Sequence, residues 1–495
     1  MKQTHAVGMK IKFAIIIFLV FLTSTLRLNA QPLINNFISG EGMRNASASV
    51  TVIDINTGAV LASYNSDLSL TPASSMKVVT TASALATLGG EFTYHTDLQY
   101  DGVLNKKTGL LSGNLYIKGY GDPTLGSDEM DEVSSMDDVI KRLGKEADKF
   151  GICNIEGRVI GDGTYFSASQ PIGANWQWDD IGNYYGAGAH GLNIHENYYV
   201  LQLQQSPNVG QAPRIIGTIP QMPDFLIENQ ALSAAIGTGD NTIIYAAPYA
   251  EEGRLIGTIP VGTSIFKIKG SIPDPPLEVA YLLGKSLKND YDIGIKKAAI
   301  SILSMPKLIG GERKTIAMLL SPPLKTIVKR ANHESINLYC EAMLRTVAQQ
   351  ATGSGEPEKG AEYITNLWKG RGIDMNGFFM EDGSGLSARS AVTTRQMASI
   401  LRMTAVDNTI FPAFYESLPR AGETGTIKNM FKNTKGIGRI RAKSGSMTRV
   451  RSYTGYVTTM KGKQVSFSII VNNYTCSGPE MRKKMEKLML EMIEL

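Results

Sequence analysis

The sequence predicts an α/β (α+β) fold in which helices flank an antiparallel sheet and a large β-rich region is inserted. Residues 49–64 have the pattern of a β-hairpin, with two short strands around the turn Asn56-Thr57-Gly58. Three more candidate strands lie close together between residues 437 and 472, whereas residues 91–272 are rich in short strands and Gly/Asn turns. The parts before and after this β-rich region are therefore expected to form one domain.

A helix is predicted directly after the hairpin. Apolar residues recur at helical spacing from Val78 to Ala86, and Gly89-Gly90 ends the pattern. Ser74 and Lys77 fall three residues apart in the first turn, so their side chains share one face. A hydroxyl beside an amine whose pKa is lowered by burial is a nucleophile with a base in reach. The same spacing at 264–267 and 304–307 means that spacing alone does not assign catalysis.

Changes in composition predict the domain boundaries. Residues 91–272 are expected to be an insertion, divided into two subdomains, and the proline-rich stretch 272–276 marks its end. Residues 31–90 plus 273–495 would then form the interrupted domain.

The C-terminal part alternates helices and strands. A helix is predicted over 335–350, and the strand patterns 437–443, 451–458 and 464–472 look like successive antiparallel strands. A final amphipathic helix starts near Ser477. Its apolar side is expected to pack on the sheet, with attachment to a membrane surface as the alternative because its other side is basic.

The N-terminal 30 residues have the pattern of a secretory signal peptide. Lysines precede the apolar run 13–22, which is too short to span a bilayer comfortably, and no cysteine follows the expected cut after Ala30. A secreted, periplasmic protein without a stable membrane anchor is expected. Removing four cations changes the net charge from +5 to +1 (5 − 4), so a nucleic-acid partner is not expected.

The cysteines and histidines indicate neither a disulfide framework nor a metal site. Cys153, Cys340 and Cys476 are odd in number and far apart, and no HExxH motif or cysteine cluster has metal-ligand spacing. No metal and no other cofactor is therefore predicted. A histidine-based triad would draw on His333, but no motif connects it with Ser74.

Three short patterns occur in chain order: Ser74-Ser75-Met76-Lys77, Ser335-Ile336-Asn337 and Lys443-Ser444-Gly445-Ser446. S-x-x-K, S-D-N and K-T-G together are typical of penicillin-binding proteins and class A β-lactamases. The literal Lys107-Thr108-Gly109 lies in a polar turn, whereas Lys443 ends a strand pattern. Through this set, and through the segment 382–387 (Asp-Gly-Ser-Gly-Leu-Ser), the chain resembles the low-molecular-mass class C (type 4) penicillin-binding proteins, the D-alanyl-D-alanine carboxypeptidase/endopeptidase family.

The resemblance implies a serine transpeptidase/β-lactamase-like domain and a role for each motif residue. Ser74 would be the nucleophile, Lys77 its base and Ser335 a proton relay, whereas the other motif residues would bind substrate: Asn337, Lys443, Ser444 and Ser446. The middle Ile336 replaces the usual aspartate, and Ser444 replaces threonine but keeps the hydroxyl. Asp162 is implied near the cleft, with a structural turn as the alternative interpretation.

The predicted function is a secreted serine-type D-Ala-D-Ala carboxypeptidase and/or endopeptidase. Its partner would be the peptide of peptidoglycan, cleaved through an acyl-enzyme on Ser74, and β-lactams would be covalent inhibitors. The alternatives are a β-lactamase or esterase of the same fold, or a cell-wall-binding protein without catalytic activity. An α/β-hydrolase is disfavoured because the chain contains no G-x-S-x-G motif.

Overall fold

A computed structural model describes residues 34–166, 171–173 and 175–495 of the 495-residue chain. The predicted signal peptide, residues 1–30, lies outside the described residues. The strands are β1 Ser47–Asp54, β2 Val60–Tyr64, β3 His95–Tyr100, β4 Val103–Asn105, β5 Leu110–Ser112, β6 Leu115–Gly119, β7 Asn154–Ile155, β8 Val159–Asp162, β9 Tyr198–Gln204, β10 Arg214–Ile219, β11 Leu226–Asn229, β12 Leu232–Ala234, β13 Asn241–Tyr245, β14 Glu252–Pro260, β15 Ile265–Ser271, β16 Gly294–Ile295, β17 Ile300–Ser301, β18 Lys314–Leu320, β19 Ile440–Met447, β20 Val450–Thr458 and β21 Gln464–Asn472.

The α-helices that begin and end within the described part are α1 Met76–Leu88, α2 Met136–Lys149, α3 Trp178–Ile181, α4 Pro275–Tyr291, α5 Leu324–Glu334, α6 Asn337–Thr352, α7 Pro357–Gly370, α8 Thr394–Ala405, α9 Phe411–Ser417 and α10 Gly478–Met492.

One five-stranded antiparallel sheet joins the beginning and the end of the described chain, in the order β19-β20-β21-β1-β2. The predicted N-terminal hairpin and the three successive C-terminal strands are therefore confirmed. The first of these three is predicted at 437–443, but β19 begins at Ile440 and continues to Met447. Gly438 has φ +70°, which is incompatible with an extended strand, so the strand starts after it.

Helices cover both faces of this sheet. On one face α8 contacts β1 and β21, and Ser466 Oγ donates to the Ala398 carbonyl at 2.9 Å. On the other face α10 buries an apolar stripe that packs with Ile469 and Val471. The final helix thus packs on the sheet as predicted. The buried residues of its stripe are Met481, Met485, Leu488, Met489 and Met492.

The predicted β-rich insertion contains most of the remaining strands. They form four sheets, ordered β17-β8-β6-β3-β18, β16-β7-β5-β4, β10-β9-β15 and β11-β14-β12, with β13 also paired to β14. Helix α2 also lies in this region, where only short strands and turns are predicted. Its signal was present, because the Ser135 side chain accepts from Asp138 N at the N-cap and the residues Val139, Ile140 and Leu143 are buried at helical spacing.

Strand pairing continues past the predicted end of the insertion at residue 272. The strands β16, β17 and β18 pair with β7, β8 and β3, respectively. We therefore propose that the inserted region extends to Leu320.

The structure also gives the state of the three cysteines. All three are free: Cys153 is exposed, Cys340 is buried in α6, and Cys476 is half-buried. Within the described ranges, no helix has the length and apolar character needed to cross a bilayer.

Candidate active site

The first motif starts in a turn and continues into a buried helix. Ser74 lies in the 3-10 turn Ala73–Ser75, and Lys77 is the second residue of α1. Lys77 Nζ donates to Ser74 Oγ over 3.1 Å, and the lysine is fully buried. The structure thus brings this predicted pair into direct contact.

Lys77 Nζ makes two more hydrogen bonds, to Asn337 Oδ1 at 2.6 Å and to the Ser384 carbonyl at 2.8 Å. Burial lowers the pKa of Lys77, and nearby Cys340, Asp382 and Glu341 offset part of that effect. When the lowered pKa leaves Lys77 neutral, its two N–H groups can donate to Asn337 Oδ1 and the Ser384 carbonyl, and its lone pair faces Ser74 Oγ and can accept that proton.

The second motif lies between two helices. Ser335 is expected to begin a helix, but α5 ends at Glu334 and α6 begins at Asn337. Ser335 takes the left-handed conformation, with φ 62°, and so it cannot continue either helix. Asn337 Nδ2 donates to the Tyr185 carbonyl of the insertion at 2.7 Å. This residue therefore connects Lys77 with the inserted region.

The third motif lies on the edge strand β19. Lys443 Nζ donates to Ser335 Oγ and to the Ser444 carbonyl, both at 2.8 Å. Burial, followed by the charge of Lys77, lowers the pKa of Lys443. Ser444 Oγ donates to Thr426 Oγ1 at 2.8 Å, and Ser446 lines the adjacent cleft. Thr426 belongs to a Gly-Thr segment to which the sequence patterns gave no role.

These residues surround a cleft of about 1010 Å³. Ser74, Ser335, Asn337 and Ser446 line it from the interrupted domain. The insertion contributes the opposite wall, including Gln177, Asp180, Tyr184 and Tyr185. The size and mixed polarity of the cleft suit a peptide-sized ligand.

Two buried carboxylates hold the loop that carries the Ser384 carbonyl. Glu341 accepts from the backbone N–H groups of Gly383 at 3.1 Å and Ser384 at 2.8 Å. Asp382 accepts from the N–H groups of Gly385 and Ser387 at 2.8 and 2.6 Å. Burial raises the pKa of both carboxyl groups. The segment 382–387 contributes to the family resemblance, but its sequence alone did not reveal this supporting function.

The other candidates lie in different settings. Lys107 is exposed in the turn between β4 and β5. Asp162 accepts from Thr164 N at 3.0 Å and pairs with Arg313, which favours the structural turn over a place in the cleft. His333 Nε2 has no hydrogen-bond partner among the described residues. In that same part of the chain, no group of three His, Cys, Asp or Glu side chains is placed to hold a metal ion.

Comparison with solved structures identifies the fold. Penicillin-binding protein 4 (dacB) from Haemophilus influenzae matches with a TM-score of 0.78 at 22% identity, over 93% of this chain and 98% of that one. A second structure of that protein, solved as a complex with a β-lactam, matches with a TM-score of 0.73 at 21% identity, over 94% and 98%. The chain therefore has the fold of that protein, and the predicted fold class is confirmed.

The family follows from the sequence comparison. A model of the D-Ala-D-Ala carboxypeptidase 3 (S13) family matches residues 31–492, so this chain belongs to that family of hydrolases. The D-alanyl-D-alanine carboxypeptidase of Actinomadura sp. (strain R39) is 24% identical over 90% of this chain and 81% of its own length. The family resemblance inferred from the three motifs is thus confirmed.

Proposed function

We propose that this protein cleaves peptidoglycan stem peptides that end in, or are joined through, D-alanine, and that it does so through an acyl-enzyme on Ser74. The observation that carries this proposal is the 3.1 Å hydrogen bond between Lys77 Nζ and Ser74 Oγ beside the cleft. Family membership supports the choice of a D-Ala-D-Ala bond as the substrate. Carboxypeptidase and endopeptidase action differ only in whether the leaving amine belongs to free D-alanine or to a cross-link.

In the proposed reaction, neutral Lys77 takes the Ser74 proton while Oγ attacks the carbonyl carbon of the scissile bond. Backbone N–H groups of Ser74 and Ser446 stabilise the oxyanion. Lys77 then gives this proton, through the Ser335 hydroxyl, to the leaving amine as the C–N bond breaks, so that Lys77 is neutral again; Lys443 Nζ holds the Ser335 hydroxyl at 2.8 Å. In the second step Lys77 takes a proton from the water that attacks the ester carbonyl and passes it to Ser74 Oγ as the C–O bond breaks, which releases the shortened peptide.

The remaining motif residues are proposed to hold the substrate. Asn337 would bind an amide of the peptide, because its side chain is fixed between Lys77 and the Tyr185 carbonyl. Lys443 supplies positive charge, and the hydroxyls of Ser444 and Ser446 would bind the terminal carboxylate of a carboxypeptidase substrate. The hydrogen bond from Ser444 to Thr426 adds a third hydroxyl to this group.

We also propose that β-lactams acylate Ser74. The β-lactam complex of the Haemophilus influenzae relative supports this expectation. The test is labelling of purified protein with a fluorescent penicillin: wild type should be labelled and Ser74→Ala should not. Ser264→Ala is the matched control, since Ser264 is an exposed serine that also precedes a lysine by three residues, and it should label normally. Equal labelling of Ser74→Ala would disprove the assignment of the nucleophile.

The same preparation separates the proposed activity from its alternatives. A penicillin-binding peptidase should retain the label for many minutes and release D-alanine from a pentapeptide. A β-lactamase of this fold would instead turn the penicillin over with no persistent label. A cell-wall-binding protein without catalytic activity would do neither.

Export is part of the proposal, because the substrate lies outside the cytoplasm. We expect residues 1–30 to be removed and the mature protein to be periplasmic and without a stable membrane anchor. Intact mass of the protein recovered from a periplasmic extract checks the cut after Ala30. Recovery of the uncut chain in the cytoplasmic fraction would contradict export.

A further inference from the structure

A second cavity lies on the inserted region, next to the catalytic cleft. It encloses about 830 Å³, within the usual range of roughly 300–1,000 Å³ for small-molecule sites. The two cavities share one element: Gln177 and Asp180 line the cleft, whereas Trp178 lines the second cavity. The short helix α3 and its N-cap residue therefore lie between the two cavities. The aromatic and charged residues of the second lining are Trp178, Glu228, Tyr245, Glu252 and Arg254.

A stacked aromatic pair, in which Trp178 is exposed and Tyr245 is half-buried, forms one wall of this second cavity. The Trp178 side chain is 56% exposed, and its ring stacks on Tyr245 with the ring centroids 5.9 Å apart and 26° between the planes. The other two tryptophans of the chain, Trp176 and Trp368, are buried. A large aromatic face left in water beside a cavity marks a surface that a ligand covers.

The polar residues of the second cavity complement this aromatic wall. Glu228 and Arg254 form an exposed ion pair at 3.3 Å, and Glu252 adds a second carboxylate. Such side chains accept from and donate to hydroxyl groups, while the C–H face of a sugar ring packs on an aromatic ring. Two carboxylates against one guanidinium disfavour an anionic peptide that ends in a free carboxylate.

We propose that this second cavity binds a saccharide, namely the amino-sugar strand that carries the stem peptide in peptidoglycan. The inference rests on the proposed function, which makes a sugar-linked peptide the substrate. A peptide arm of four residues spans up to about 14 Å when extended, whereas a helix such as α3 is about 10–12 Å across with its side chains. A sugar on Trp178 and a peptide in the cleft can therefore belong to one substrate molecule.

The kinetic test compares two substrates that differ only in the sugar. D-Alanine release is measured from a pentapeptide and from the same pentapeptide linked to its amino-sugar disaccharide. We expect Trp178→Ala to lower kcat/KM about tenfold or more for the disaccharide substrate, mainly through KM, and to leave the free pentapeptide unchanged. Trp178→Phe, which keeps a flat ring, should retain most of the activity. Phe379→Ala is the control, because Phe379 is also 56% exposed and lies outside both cavities.

An equal loss on both substrates would overturn the proposal, since the second cavity would then serve the peptide or the fold. No loss on either substrate would overturn it as well. The proposed function fails separately: in that case wild type releases no D-alanine from either substrate and is not labelled by fluorescent penicillin.

A binding experiment gives a readout that does not depend on catalysis. Because Trp178 is the only exposed tryptophan, titration with chitotetraose should produce a saturable change in intrinsic fluorescence. The change should disappear in Trp178→Ala and persist in Ser74→Ala. A change that survives Trp178→Ala, or no change in wild type, would overturn saccharide binding at the second cavity.

Discussion

Two buried lysine amines determine the chemistry of the candidate site at the scale of single residues. Lys77 contacts Ser74, and Lys443 contacts Ser335, so each hydroxyl has its own amine. Burial lowers the pKa of both lysines, and the charge of Lys77 further lowers that of Lys443. Keeping Lys77 neutral relieves this repulsion, and the neutral form is the one that can accept the Ser74 proton.

This arrangement predicts that a side chain with a permanent positive charge at position 77 cannot take over the proton-accepting role of Lys77. Lys77→Ala and Lys77→Arg should both slow acylation by a fluorescent penicillin by about 10³-fold or more, because the guanidinium stays protonated. Stopped-flow fluorescence measures the rate. Lys483→Ala, on an exposed position of α10, should leave it unchanged. A nearly normal acylation rate in Lys77→Arg would show that another residue acts as the base.

The groups of the site that the sequence predicts are side chains, whereas those that it does not predict are backbone carbonyls. The roles proposed for Ser74, Lys77 and Asn337 depend on their side chains, so the sequence pattern can reveal them. Lys77 and Asn337 are also fixed by the carbonyls of Ser384 and Tyr185. A carbonyl is present in every residue and gives no sequence signal until the fold places it.

At the scale of elements, the turn that carries Ser74 packs closely against β19. Ala73 has φ +48°, a left-handed conformation that is unfavourable for alanine. A Cβ atom at Gly445 would collide with the Pro72 carbonyl and the Ser75 backbone nitrogen. Gly445 is therefore the residue that lets the third motif approach the first.

We predict that Gly445→Ala moves this turn and separates Ser74 from β19. The acylation rate should fall more than tenfold, and thermal unfolding should begin at a lower temperature because backbone atoms must shift. Gly217→Ala provides the control, since a methyl group added there would have no other atom within 4 Å and its backbone is not left-handed. Normal acylation by Gly445→Ala would show that the close approach is dispensable.

Helix α4 contains a buried acid without a hydrogen-bond partner among the described residues. Glu278 is 1% exposed, neither of its carboxyl oxygens is bonded, and burial raises its pKa from 4.5 to about 8. The folded protein thus holds a proton that the unfolded chain releases at lower pH. Its contribution to stability is complete below about pH 4.5 and is lost as the pH rises toward 8.

Glu278→Gln should remove this pH dependence. Every tenfold change in proton affinity corresponds to about 1.4 kcal/mol, so the difference in unfolding free energy between pH 5 and pH 8 should become smaller in the variant. Urea unfolding at several pH values measures it. Glu358→Gln, at an exposed position of α7, should behave as wild type. Parallel pH profiles for wild type and Glu278→Gln would contradict the prediction.

At the scale of the whole molecule, the insertion is fastened to the helices that carry the second motif. Arg330 of α5 pairs with Glu129 at 2.9 Å, and the Tyr339 hydroxyl of α6 donates to Glu196 at 2.7 Å. Glu196 also has φ +49°, within a left-handed run that includes both of its neighbours. The insertion therefore helps to fix the position of Asn337, two residues before Tyr339.

Removing one hydroxyl tests this attachment. Tyr339→Phe leaves the buried Glu196 with one donor fewer, which should lower the unfolding free energy by about 1–3 kcal/mol. Acylation should slow as Asn337 becomes less well held. Urea unfolding and penicillin labelling measure the two effects. Tyr281→Phe is the control, because the Tyr281 hydroxyl bonds to no described residue, and it should change neither stability nor acylation. Unchanged stability and acylation in Tyr339→Phe would mean that this contact does not fasten the insertion.

The sequence predicts those parts of the fold that depend on residues close to one another in the chain. The hairpin at 49–64 and the final antiparallel strands are formed by neighbouring residues, and turns mark their limits. The extent of the insertion was harder to predict, because β16, β17 and β18 pair with strands more than 130 residues earlier in the chain. A proline-rich stretch at 272 interrupts local structure without ending a set of sheets.

The central sheet has a consequence for the order in which the protein can be assembled. β1 lies between β2 and β21, and its pairing with β21 joins Asp54 to Val465, about 410 residues later. A two-stranded hairpin alone is marginally stable in water. During synthesis the N-terminal hairpin is made first. It therefore lacks its neighbouring strand β21 until almost the whole chain has been synthesised. Ser74, the proposed nucleophile, comes soon after β2 and would gain its final surroundings only when synthesis is nearly finished.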